Sequence, residues 1–348
     1  MVKFAKFFLV FLILGAALSG GFYLRYFKEE FAKSEKRIEA SASLLSVISQ
    51  KILSALNAKA KEESQTLLFV GDVMLSRGID YMVRKHGNGD FSYPFLKIAD
   101  FLRDADLLFG NLEGPISERG KNQGSIYSFR AKPQAVQGLK FAGFDILSVV
   151  NNHILDWGRV ALIDTLDILK TNGIASAGAG RNYAEANEPA IINFEDTRIA
   201  FFAYTNLVSK SFSATKDSAG ISFFDLERVK KSIAETRAET DIIIVSLHWG
   251  EEYKTKASDF QKKLAHELID AGADLIIGHH PHVAQEVEQY RGKRIAYSLG
   301  NFVFDQNFSE DTRRGLMLKV TVQDKKISTV QPISIKFSPT FQPELAEL

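Results

Sequence analysis

Three of the seven histidines, His279, His280 and His282, sit directly behind the apolar run Leu275-Ile276-Ile277. Imidazoles packed this closely repel one another once protonated and gain from a shared cation. Four other apolar runs end in a similar way. After LLFV come Gly71 and Asp72, and after LLF come Asn111 and Glu113; SVV is followed by Asn151, Asn152 and His153, and VSL by His248. In an open parallel sheet, ligands and reacting groups collect at the carboxyl ends of the strands. Imidazole with carboxylate is a ligand set for zinc, manganese or iron. One or two such ions could be held here.

Each residue alone has a plainer reading. Asp72 could cap a helix, Glu113 before Gly-Pro could mark a loop, and Asn151 and Asn152 are good turn formers. His153 could be structural, and His248 could pack beside Trp249. His86, in a polar loop, and His266, on a charged helix, stand outside the pattern. The five strand ends taken together favour a metal site.

The elements that must position these groups begin near Thr66. Short β-rich runs (TLLFVGDVM, DLLFGNLE, DILSVVNNH, DIIIVSLHWG, DLIIGHHPH) alternate with amphipathic helical stretches such as DFQKKLAHELIDAGA. That alternation predicts an α/β layer fold with a largely parallel central sheet. Three pieces read as antiparallel instead: AIINFEDTRIAFFAYTN, VEQYRGKRIAYSLGNFVF and the closing RRGLMLKVTVQDKKISTVQPISIKF. Turns at Glu195-Asp196 and Arg291-Gly292 fit hairpins.

Composition narrows the chemistry. A net charge of +1 gives no reason to expect nucleic acid. The chain has no cysteine, so disulfides, thiolate ligands and a Cys nucleophile are excluded.

The first residues speak to location. Lys3 and Lys6 precede an uncharged stretch from Phe7 to Leu24, close to the roughly 20 residues a spanning helix needs. The positive-inside rule keeps the N-terminus cytoplasmic and sends the body outward. A cleaved signal peptide competes, because Ala16 to Gly21 is rich in small residues; the apolar run is longer than the usual core of roughly 7–15 residues. The expected organisation is a single-pass anchor over 1–27, a helical stalk over 28–64, one domain over 65–340 and a polar tail over 341–348. Leu45, Ile48, Ile52 and Leu56 recur along the stalk at helical spacing.

The blocks GDVML, GNLEGPIS, VVNNHILDWG, LHWGEEY, GHHPHV and YSLGNFVFD, in that order from about Leu67 to Phe304, resemble the CapA/PgsA-type capsule (poly-γ-glutamate) biosynthesis proteins. These are membrane-anchored relatives of calcineurin-like metallophosphoesterases. The resemblance implies that superfamily's layered fold, with central β-sheets flanked by helices. It also implies that Asp72, Asn152, His248, His280 and His282 are metal ligands, with Glu113 where the superfamily has a bridging Asp. His153 matches the proton donor or substrate contact, and His279 is additional. Asn111, Asn151, Asp156 and Asn301 fall at the cleft or behind the ligands, with Asp156 orienting a helix start or a histidine. Arg77 and Arg130 could meet an anionic substrate. Met74 stands where the superfamily usually has His, and a thioether is a poor ligand for hard ions.

The expected function is a membrane-anchored, extracytoplasmic protein of capsule-polymer synthesis or export with a divalent-metal, hydrolase-type site. The alternative is a non-catalytic polymer-binding scaffold of an export complex. Expected partners are an anionic cell-surface polymer or its precursor, the membrane, and other capsule-synthesis membrane proteins.

Overall fold

The computed structural model describes residues 64–194 and 196–346, with scattered positions between 25 and 52. The chain divides into two units, Met1–Glu63 and Ser64–Leu348. In the first, the described residues are helical, and Leu45, Ile48 and Ile52 are exposed. The expected span Phe7–Leu24 lies outside the described residues. Among the described residues no helix is long and apolar enough to cross a membrane.

The second unit holds two large sheets where the sequence suggests one largely parallel sheet. In the first, β1 (Gln65–Val73), β2 (Leu107–Leu112), β3 (Ile146–Ser148) and β4 (Ala175–Ala177) run parallel, in that spatial order. The two-residue strands β5 (Ala179–Gly180) and β8 (Gly220–Ile221) pair separately. In the second large sheet β7 (Thr197–Thr205), β9 (Ile242–His248), β10 (Leu275–His279) and β12 (Lys293–Ala296) are parallel. Antiparallel β6 (Ala190–Phe194) and β11 (Val287–Tyr290) edge it.

The period of two along each strand explains the layers. Leu67 and Phe69 face Phe201, Ile244 and Ile277 between the sheets, while Leu68 and Val70 face the helices outside. Phe109 of β2 stacks on Phe201 of β7 at 5.7 Å. Strands apolar on both faces are buried on both, and burying their side chains stabilises the unit by about 25 cal/mol per Å² of apolar surface. Helices such as Arg77–His86 and Gly158–Thr171 cover the first sheet; Leu226–Arg237 and Asp259–Asp270 cover the second. This is the layered arrangement that the resemblance implies.

The hairpin at Arg291-Gly292 forms, with both residues left-handed (φ 47° and 77°) and Tyr290 opposite Lys293. Glu195 of the first expected turn lies outside the described residues. The third hairpin joins β14 (Arg314–Gln323) to β15 (Lys326–Phe337) on the edge of β1. One expectation fails: VEQYRGKRIAYSLGNFVF does not stay in one sheet. After β12 it crosses over, and β13 (Asn301–Val303) pairs in parallel with β1. Leu299 N donates to Gly278 O in the second sheet, and Asp72 N donates to Gly300 O beside the first, so the crossing segment stitches the sheets together. Within 341–348, expected as a tail, Pro343–Leu345 forms β16 on β15.

Candidate metal centre

Parallel register sets Asp72 beside Asn111 and Asn301, and His248 beside His279. The strand ends of the two sheets therefore meet at one corner. From the first sheet come Asp72, Asn111, Glu113, Asn151, Asn152 and His153. The second supplies His248 and His279, and the loop after β10 supplies His280 and His282. Both loop histidines are left-handed (φ 97° and 58°), a costly backbone state for a side chain with a Cβ. That turn lets His280 N donate to Asp72 Oδ2 at 3.3 Å and carries His282 Nδ1 to 3.4 Å from the same oxygen.

Asn111 is the hub. Its Nδ2 donates to Asp72 Oδ1 at 2.8 Å and lies 3.5 Å from both Glu113 Oε2 and His248 Nδ1. Asn151 Nδ2 in turn donates to Asn111 Oδ1 (3.2 Å) and Leu112 O (2.8 Å). His248 Nε2 lies 2.8 Å from Asn152 Oδ1, and His282 Nδ1 3.0 Å from Asn301 Oδ1. His153 Nδ1 lies 2.8 Å from Asp156 Oδ2. A carboxylate only accepts, so Nδ1 carries the proton and Nε2 is left free, 3.9 Å from Glu113 Oε1. Phe129 stacks on the His153 ring at 3.9 Å.

Several buried acceptors and ring nitrogens here lack hydrogen-bond partners: Glu113 Oε1, His280 Nδ1 and both nitrogens of His279. Buried polar groups are ordinarily satisfied, so orphans clustered in one place point to a missing ligand. His279 Nδ1 lies 3.2 Å from Asp72 Oδ1, close enough to favour the ionised form of that carboxyl. Asp72, Glu113 and His248 offer donor atoms within 4.8 Å of one another, and so do Glu252, His280 and His282. This donor set fits a divalent cation.

The electrostatics agree. Burial alone would raise Asp72, but His279 and His282 outweigh it and hold the carboxyl well below its usual range. Burial dominates Glu113 and raises it, with the charges of Asp72, Glu252 and Asp156 adding to the rise. His248 is pushed well down by burial and by His280; His280 falls to about 3 through burial and His282. Burial would also lower His282, yet Glu113 and Asp72 raise it to about 9. The His282–Glu113 pair, 3.6 Å apart, thus keeps a proton at neutral pH.

Glu252 is the residue that sequence reading missed. It lies in an exposed loop just past His248, and only the fold brings it to His280 and His282. Other candidates are engaged in contacts of their own. Met74 sulfur accepts from Ser76 Oγ at 3.0 Å, which occupies the thioether. Arg77 pairs with Asp305 at 3.2 Å and lies over the Phe129 ring, whereas Arg130 stacks on Trp157. His86 stacks on Tyr93, and His266 pairs with Glu288 at 2.9 Å.

Two sheets that deliver buried Asp, Glu, Asn and His to one corner define an α/β protein with a site suited to a divalent cation. Such a description covers many folds, and the sequence comparisons narrow it. The chain belongs to the bacterial capsule synthesis protein PGA_cap family, which it matches over residues 66–306. It is 33% identical over 286 residues to the capsule biosynthesis protein CapA of Bacillus anthracis, covering 79% of this chain and 69% of that one. Against the PGA biosynthesis protein CapA of Bacillus subtilis (strain 168) the identity is 32% over 297 residues, covering 82% and 77%. Among solved structures it is similar to a hypothetical protein from Thermus thermophilus, 16% identical with a TM-score of 0.50, covering 78% of this chain and 99% of that one. That likeness is one of fold.

Proposed function

We propose that this chain is an extracytoplasmic, membrane-anchored protein of capsule or poly-γ-glutamate-type polymer synthesis, and that its strand-end centre hydrolyses a phosphoester or amide as the polymer is assembled or released. Membership of the capsule synthesis family and the names of its CapA relatives support the pathway. One observation carries the chemistry: two groups of three potential ligands at a corner where Glu113 Oε1 and His280 Nδ1 are buried without partners.

A divalent cation there would supply Lewis acidity and a water activated at neutral pH. Asp72, Glu113 and His248 would form one ligand group, and Glu252, His280 and His282 the other. Asn152 would orient His248, and Asn301 would orient His282, as partners behind the ligands usually do. Asp156 fixes the tautomer of His153, and Phe129 covers one face of its ring. With Nδ1–H held by Asp156, the free Nε2 of His153 would take a proton from the attacking water and pass it to the leaving group.

The test is ion content and turnover measured on the same protein. The parent is expected to hold one or two equivalents of manganese, zinc or iron and to turn over a phosphoester or amide substrate. In His153→Ala the ion content should be unchanged while turnover falls by about 10²–10⁴-fold, the usual worth of general acid–base catalysis. Equal loss of both would make His153 a ligand only. A parent that binds no ion when folded would end this reading.

Proton release gives an independent check. Below its raised value of about 9, His282 holds a proton that metal coordination must displace. Ion affinity should therefore climb with pH up to about 9, by about tenfold per pH unit for one proton displaced. Calorimetry at pH 7 in two buffers of different ionisation enthalpy should show about one proton released per ion; no release would refute the protonated pair.

A further inference from the structure

Directly after Asp156, Trp157 lines a cavity of about 490 Å³. It lies between the loop at Gly120–Gln123, the start of the helix Gly158–Thr171 and the turn Lys210–Phe212. The charged side chains lining it are Lys121 and Arg159; no carboxylate does. Trp157 Nε1 and Arg159 Nη1 are buried and without a hydrogen-bond partner. Arg159 is held from its other end, where Nη2 donates to Ser211 O at 2.9 Å. The guanidinium of Arg130 lies 3.4 Å from the centre of the Trp157 ring and holds the indole in place from outside the cavity lining. The helix itself begins with no side-chain cap and no acidic residue in its first turn.

The cavity is also tied to the metal centre. Gln123 N donates to Asp156 O at 2.8 Å, and Asp156 holds His153. A Cβ on Gly120 would overlap the Trp157 carbonyl oxygen, so the loop is seated directly on this turn.

We propose that this cavity is an anion subsite that takes a carboxylate of the polymer chain. The choice of occupant rests on the polymer-synthesis reading above. A guanidinium, an ammonium and an indole N–H lining one cavity with no carboxylate among them suit a carboxylate ligand, which can accept from each. With one carboxylate fixed beside the turn that carries His153, the chain is set in register with the metal centre.

Tryptophan fluorescence reads the site directly. The chain has two tryptophans, and Trp249 is buried with its N–H donated to Tyr297 O, so Trp157 is the reporter. Full-length protein, stripped of metal by a chelator, is titrated with a γ-linked glutamate oligomer. A saturable change in emission is expected, absent in Trp157→Phe. Binding should be at least tenfold weaker in Lys121→Gln and in Arg159→Gln, with the ion content of both variants at the parental level before chelation. Lys121 is exposed, so its variant folds even if the Arg159 variant does not. Oligomer binding to Lys121→Gln and a folded Arg159→Gln within twofold of the parent would overturn the subsite. Binding that disappears on chelation would place the oligomer on the metal centre instead and also overturn it. Displacement of the oligomer by inorganic phosphate at equal concentration would overturn the polymer as occupant.

Discussion

Asp72→Asn is expected to leave the protein without bound metal. Asp72 is wholly buried at the end of β1 and is held charged by the histidines around it against the penalty of burial. The amide replacement keeps the size of the side chain and can keep a polar contact with Asn111, but it removes the negative charge that a cation and His282 both need. Loss of an outer-shell partner alone weakens metal sites by roughly 10–100-fold; loss of this central carboxylate should exceed that and bring ion content below about a tenth of an equivalent. Its pKa also links Asp72 to stability in acid. A carboxyl held below its unfolded value, about 3.9, stabilises the fold above that pH and stops doing so as pH falls through its folded value. The parent should therefore lose stability in acid more steeply than Asp72→Asn. Elemental analysis beside pH-dependent denaturation checks both expectations, and a variant that keeps a full complement of ion would remove Asp72 from the site.

The largest loss of stability is expected from Gly278→Ala. A Cβ there would overlap the Tyr297 carbonyl oxygen and crowd the Trp249 indole nitrogen that donates to it. These are buried backbone and ring atoms, not the far end of a flexible side chain, so the strand end or the crossing segment must move. Large costs come from overpacking of this kind. About 4 kcal/mol and a Tm lower by roughly 10 °C are expected. Gly173→Ala serves as the comparison: its φ is also positive, 76°, but nothing lies within 4 Å of the added carbon, so only the backbone cost of about 1–2 kcal/mol applies. Thermal melts of the two variants side by side decide the matter. Gly278→Ala melting with the parent would show that the close approach does not exist.

The sequence made the strand ends legible because each polar group follows an apolar run long enough to be a buried strand. Asp72, Glu113, His153, His248 and the histidines after β10 were therefore visible as candidates. What local pattern could not give is which strands share a sheet. A strand buried on both faces looks the same whether helices or a second sheet cover it, so the alternation alone suggests one sheet, and only the family resemblance implies the central sheets that exist. The same limit hid the central role of Asn111, which depends on β1 and β2 being neighbours, and the approach of Glu252, whose loop has no periodicity to read. The crossing of β13 from one sheet to the other was hidden for a related reason: its β-rich sequence fits a hairpin just as well. Turn chemistry was more informative, since Arg291-Gly292 marked its hairpin without tertiary help.

The segment that stitches the sheets also sets when the site can exist. Asp72 meets His280 across 208 residues of chain, and Gly300 and Val303 accept from Asp72 N and Met74 N still later in the sequence. Chains that fold as they are synthesised order their N-terminal parts first, and pairings this distant close slowly. The first carboxylate is thus in place long before the groups that cage it. An ion met early finds only a loose, exposed binder, and a chain cut short before residue 303 never gains the closed corner. Under the proposed metal-binding role, loading waits for a chain that is complete through residue 303.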